Sequence, residues 1–169
     1  MPASRNRDWR GRAPALYSAP MLADLIRRFT APPSAAPLPE EDARLALAAL
    51  MVRLARSDGD YTAAEQARIE SVLAAFHALG PFAAVKLRRE AEIAEASAPD
   101  TVRFTRLIKA AVPYEEREAV IEALWQVALA DGIDAEERGL LRLVANLCGV
   151  SDRDSNLARQ RAERLHGTH

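Results

Sequence analysis

Apolar positions recur at helical spacing along almost the whole chain beyond residue 40. Leu47, Leu50, Met51 and Leu54 fall at i, i+3, i+4 and i+7, which places them on one face of a helix. Gly59 stops this helix, because glycine readily takes the left-handed conformation that follows a helix end. Ile69, Val72, Leu73 and Phe76 resume the period, and Gly80-Pro81 ends it again. Residues 82–97 form a charged amphipathic helix with Phe82, Val85, Leu87 and Ile93 as its apolar members. Val102, Phe104, Leu107, Ile108 and Ala111 carry another, from Pro99-Asp100 to Pro113. A longer helix is expected from about Tyr114 to Ala130, and another from Ala135 to Cys148. The last begins at Ser151, where Ser151-x-x-Asp154 fits an N-terminal cap, and runs to about Leu165. No segment alternates with the period of two that a half-buried strand requires. The pattern predicts an all-α protein, a single bundle of about six to seven helices.

Two of the breaks share a signature. The first reads Asp58-Gly59-Asp60-Tyr61-Thr62-Ala63-Ala64-Glu65, the second Asp131-Gly132-Ile133-Asp134-Ala135-Glu136-Glu137. Counting back from the two Asp residues by equal steps gives Leu54, Met51, Leu50 and Leu47 in one copy and Val127, Leu124, Ala123 and Val120 in the other. Counting forward from Glu65 and Glu137 gives Ile69, Val72, Leu73 and Phe76 against Leu141, Val144, Ala145 and Cys148. The second loop is one residue shorter. This register predicts two pseudo-symmetric helix hairpins that pair their apolar faces in one core.

The first 39 residues are different in kind. Residues 1–20 mix Arg with Pro2, Pro14 and Pro20 and show no period, which reads as disorder. Met21–Phe29 can form a short amphipathic helix, with Leu22, Leu25, Ile26 and Phe29 on one face. That face must dock on the body, a partner or a lipid surface. Pro32, Pro33, Pro37 and Pro39 make residues 30–39 a linker. Residues 1–39 are therefore expected to be a flexible, basic, Pro-rich arm, and residues 40–169 the helical domain.

Charge sharpens this division. The 169-residue chain has a formal charge of −1, which argues for neither nucleic acid nor membrane as a whole. Yet residues 1–37 hold six Arg and two acids, so the arm is basic and the body acidic. Peripheral membrane contact is expected through the arm. Trp9 among its Arg residues is thin support for nucleic acid, so no specific nucleic-acid partner is expected. The single Cys148 excludes an internal disulfide and fits a reducing compartment. No apolar run approaches the ~20 residues of a membrane span, and the N-terminus lacks the apolar stretch of a secretory signal. The expected location is the cytoplasm.

The residues Ala55-Arg56-Ser57-Asp58-Gly59 with Glu65, and Ala128-Leu129-Ala130-Asp131-Gly132 with Glu137, together resemble the TerB-like family, tellurite-resistance protein TerB and its relatives. Leu140-Leu141 and Asn146-Leu147-Cys148-Gly149-Val150-Ser151 also fit. The resemblance covers roughly residues 40–165. It implies a bacterial all-α bundle with no established catalytic activity, an association with metal-oxyanion and other stress responses, and acidic residues suspected of binding metal. The short second loop leaves Glu136 as an alternative to Glu137.

Carboxylates are the only candidate chemistry. Asp58, Glu65, Asp131 and Glu137 could converge as oxygen ligands for a hard divalent cation, Ca²⁺ or Mg²⁺. Both Asp residues follow helix C-termini, where the macrodipole disfavours negative charge, so helix stability alone would not select them twice. Against this, Thr62-x-x-Glu65 is a capping box and Asp134-x-x-Glu137 follows its logic, which would occupy both Glu residues without a ligand. An EF-hand is rejected, because its first two ligand positions would be Leu54 and Arg56. His77 reads as a helix-surface residue, Cys148 as a buried inert thiol, and Trp125 as core or a subunit contact. Arg153, Arg159, Arg161 and Arg164 make part of the last helix basic. No phosphate-binding Gly loop, nucleophile elbow or Cys-x-x-Cys is present.

The expected function is that of a non-enzymatic stress-response protein acting through protein partners, with a divalent cation at the doubled loops and a homodimer among its assemblies. A plain helical adaptor without metal is the alternative, and a metal-dependent hydrolase on the same carboxylates a further one.

Overall fold

The structure is a computed structural model that describes residues 40–98, 100–130 and 132–167. The expected arm and its Met21–Phe29 helix lie outside the described residues. The described chain forms seven helices: α1 (Glu40–Ala55), α2 (Ala63–His77), α3 (Pro81–Ser97), α4 (Thr101–Ala111), α5 (Tyr114–Ala128), α6 (Ala135–Cys148) and α7 (Asp152–His166). No strand occurs among the described residues. The all-α bundle expected from the periodicity is the fold observed.

α1 is the centre. Leu45 through Val52 are eight consecutive apolar residues, and none is more than 1% exposed. A helix apolar on every side is stable in water only when surrounded. α1 packs most extensively on α3 and α4 and also meets α5, α2 and α6. The one-face reading of this helix is therefore too narrow: its whole circumference is core.

α5 packs on α7. Ser155, Ala158 and Ala162 form the buried face of α7, and small residues at i, i+3 and i+7 let the two backbones approach closely. Trp125 is buried core there, and its indole N–H donates to Ser155 Oγ at 3.4 Å.

α3 departs from expectation in the same direction. Its buried apolar positions are Ala84, Leu87, Ala91 and Ala94, whereas Phe82 is 92% exposed and Ile93 is also exposed. Small residues bring α3 against α1, so the large ones fall outside. His77 is likewise not a surface residue: its side chain is buried at the end of α2.

The chain turns 115° between α2 and α3. Ala78, not Gly80, takes the left-handed C-cap at φ 51°, ψ 47°, and Leu79 N–H closes back on Ala74 O at 2.9 Å. Gly80 stays at negative φ as the N-cap of α3, with Pro81 at the first helical position, where its missing N–H costs nothing. Ser151 caps α7 as expected, its Oγ accepting from Asp154 N–H at 3.1 Å.

Two guanidinium groups tie helix ends together. Arg53 of α1 donates to Ala98 O at 2.8 Å, to Thr101 Oγ1 at 3.3 Å and to Glu95 Oε1 at 3.2 Å, joining the end of α3 to the start of α4. Arg117 of α5 donates to Lys109 O at 3.0 Å, Val112 O at 3.1 Å and Cys148 O at 3.3 Å. It thereby satisfies carbonyls left open at the C-termini of both α4 and α6.

Candidate functional site

Both acidic loops are built by the same local rules. Gly59 and Gly132 sit at φ 91° and 88°, a region open to glycine but strained for other residues. Each loop ends in a complete capping box. Thr62 N–H donates to Glu65 Oε2 at 2.6 Å, and Glu65 N–H returns to Thr62 Oγ1 at 3.2 Å. Asp134 N–H donates to Glu137 Oε2 at 2.9 Å, and Glu137 N–H returns to Asp134 Oδ1 at 2.8 Å. Glu65 and Glu137 are thus helix caps, as the spacing indicated. In both, Oε1 accepts no hydrogen bond among the described residues. In the first loop Asp58 Oδ1 accepts from Asp60 N–H at 3.0 Å, an Asx turn that aims the carboxylate into its own loop.

The bundle brings the loops together. The Glu137 carboxyl is held above the usual Glu range, first by partial burial. The negative charges of Asp134, Asp58 and Glu65 add to this, while the Asp134 N–H hydrogen bond opposes it. Asp58 and Glu65 belong to the first loop and Glu137 to the second, so the acidic residues of separate loops share one electrostatic environment. Asp131, the fourth expected ligand, lies outside the described residues. Glu136, the alternative to Glu137, is exposed. Among the described residues, no three His, Cys, Asp or Glu side chains are arranged to hold a metal ion.

The donor set is nevertheless of one kind. It consists of carboxylate oxygens, which suit a hard cation and not a soft one. Cys148 is remote from such chemistry. It is fully buried, and burial pushes its thiol up to about 11, against the smaller opposing effect of Arg117 and Lys109.

The first loop also carries an anchor not foreseen from the sequence. Tyr61, one residue before the cap, packs partly into the core and donates its hydroxyl to Glu92 Oε1 of α3 at 2.8 Å. The buried Arg88 binds the same Glu92 oxygen and also Glu70 Oε1, the latter at 2.6 Å. Arg56 lies over the Tyr61 ring at 4.9 Å and binds Glu95 Oε2 at 2.7 Å. The second loop has Ile133 at the matching position. It packs on the core, and its carbonyl accepts from Arg138 at 3.4 Å. An apolar residue immediately before each cap was the available signal, since residues there commonly fix the angle at which a chain enters a helix.

The basic residues of α7 are partly committed. Arg161 binds Glu118 at 2.5 Å and Glu122 at 2.6 Å, and Arg159 pairs with Glu163 at 3.2 Å. No single helix among the described residues is long and apolar enough to cross a membrane.

Comparison with known proteins agrees with the doubled loop. A family model described as tellurite resistance protein TerB matches residues 44–160, which include both loops and five complete helices between them and around them. No curated protein and no solved structure matches the chain. With the family model spanning more than half of its length, this chain belongs to the TerB family.

Proposed function

We propose that this protein is a non-enzymatic, tellurite-resistance-related stress-response protein of the bacterial cytoplasm, in which the paired acidic loops take a divalent cation and the bundle acts through protein partners. One observation carries the reading: Glu137 of the second loop feels the charges of Asp58 and Glu65 of the first. Carboxylates gathered from separate loops repel, and a cation between them removes the repulsion. Asp58 and Asp131 are the leading ligands, with Glu65 and Glu137 contributing through Oε1. The cation is Ca²⁺ or Mg²⁺, which prefer oxygen donors. In this reading the two helix–loop–helix units are pseudo-symmetric. The extensive packing of α1 on α3 and of α5 on α7 supports that relation.

The test is calorimetric titration with Ca²⁺, Mg²⁺, Mn²⁺ and Zn²⁺, beside an Asp58→Asn/Asp131→Asn double variant. Micromolar binding in the parent that disappears in the variant is the expected result. An absence of heat and of thermal shift in the parent overturns it.

The two complete capping boxes favour a second reading, a helical adaptor whose Glu residues only stabilise α2 and α6. It predicts partner capture that is indifferent to chelator. A hydrolase on the same carboxylates is the third reading. Silent phosphatase and nuclease screens with Mg²⁺ and Mn²⁺ would retire it.

A further inference from the structure

Several cations of the bundle are committed to partners. Arg53, Arg56, Arg88, Arg159 and Arg161 form ion pairs, and Arg117 is spent on helix carbonyls. The outer faces of α4 and α6 are different. Arg106 and Lys109 of α4 and Arg138 and Arg142 of α6 are exposed, and none forms an ion pair among the described residues. α4 contains no acidic residue, and the acids of α6 are confined to its first turn.

The two helices pack against each other, and their C-terminal ends meet on the single guanidinium of Arg117. Arg106 lies one turn before Lys109, and Arg142 less than two turns before Cys148, so the cations spread along the pair instead of converging on a point. Apolar side chains lie on the same two helices: Val102 is 43% exposed and Leu143 48%. At the shared end Tyr114 is 59% exposed, its ring against Arg117 at 5.6 Å. This combination in an acidic body is what an extended plane of anionic groups above an apolar layer would select. Cations spread over two helices meet many phosphates, the aliphatic side chains enter the interface, and a tyrosine sits at headgroup level. Duplex nucleic acid would use the cations but has no use for Val102 and Leu143.

We propose that the α4–α6 face docks on a bilayer surface of anionic phospholipid. The proposal stands whether or not the loops bind metal. Each cation near an anionic membrane contributes roughly fivefold in partitioning.

The experiment is co-sedimentation of the full chain with vesicles of equal parts phosphatidylglycerol and phosphatidylcholine, at low and high salt. An Arg106→Gln/Lys109→Gln/Arg138→Gln/Arg142→Gln variant is compared with a charge-matched arm variant, Arg5→Gln/Arg7→Gln/Arg10→Gln/Arg12→Gln. Circular dichroism confirms that both are folded; a misfolded quadruple variant is replaced by the two α4 substitutions alone, which should cost on the order of twenty- to thirtyfold. The expected result is salt-sensitive binding by the parent, a loss of at least about a hundredfold in the helix variant, and a smaller loss in the arm variant. Absence of parent binding, a smaller loss in the helix variant, or an equal loss in the arm variant overturns the proposal. So does tighter capture of a random DNA duplex than of vesicles by the same four cations.

Discussion

Tyr61 and Glu92 join the first acidic loop to α3, with the Tyr61 hydroxyl donating to Glu92 Oε1 on the oxygen that Arg88 also binds. Burial holds the phenol above its ordinary range, and the hydrogen bond and charge of Glu92 push the same way. The phenol therefore keeps the proton it donates to Glu92 well above neutral pH. Tyr61→Phe keeps the ring under Arg56 and removes the hydroxyl with its bond to Glu92, and urea denaturation should show a loss of about 1 kcal/mol. Tyr61→Ala also removes the packing and should lose about 3 kcal/mol.

Arg117 is the next sensitive point, because its five N–H groups serve three carbonyls on the ends of two helices. Arg117→Ala strands them and should cost about 2–3 kcal/mol in chemical denaturation. Arg117→Lys should recover less than half of that, since an ammonium cannot span carbonyls that a planar guanidinium reaches together.

Backbone conformation gives paired predictions of opposite sign. Ala78 occupies the left-handed region at φ 51°, so Ala78→Gly should raise stability by about 0.5 kcal/mol despite glycine's larger unfolded-state entropy. Gly59 and Gly132 have positive φ and open space where a Cβ would lie. Gly59→Ala and Gly132→Ala should each cost about 1 kcal/mol, from backbone strain and not from a clash. Thermal melts of the three variants read all of this directly.

The raised Glu137 carboxyl sets a pH dependence of stability. A Glu whose folded pKa lies above its unfolded one stabilises the fold fully below the unfolded value, and that contribution is lost as pH rises through the folded value. Stability attributable to Glu137 should therefore fall as pH rises past the ordinary Glu range. Glu137→Gln keeps an acceptor for Asp134 N–H and should flatten this slope, with a gain near neutrality of roughly 0.5 kcal/mol or less. Urea denaturation of both proteins from acid to neutral pH measures the difference.

The elements were legible because their breaks are chemical: Gly59, Gly132, Ser151 and Pro81 act at helix ends through backbone conformation, which is local. The loops were legible for the same reason, down to both capping boxes. Which face of a helix is buried is not local. Four spaced residues of α1 satisfied the amphipathic pattern, yet the unbroken run Leu45–Val52 was the better guide to a helix enclosed on all sides. On α3 the buried face is mostly alanine and excludes Phe82, because close helix approach selects small residues. His77 reads as a surface residue, yet it shares a helix face with the buried Ile69 and Leu73, which puts it inside. The Tyr61–Glu92 bond joins residues far apart in sequence, and no periodicity encodes such a pair.

The enclosure of α1 bears on how the chain is made. Its apolar segment leaves the ribosome before α3, α4 and α5, the helices that will cover it. Until α5 and α6 follow, Leu45–Val52 has no complete set of neighbours, so the stretch with the least solvent at the end of folding has the most during synthesis. That segment is where a nascent-chain chaperone would bind. A pause in translation before Tyr114 should increase aggregation more than one late enough for α5 and α6 to have left the ribosome, when they can pack around α1.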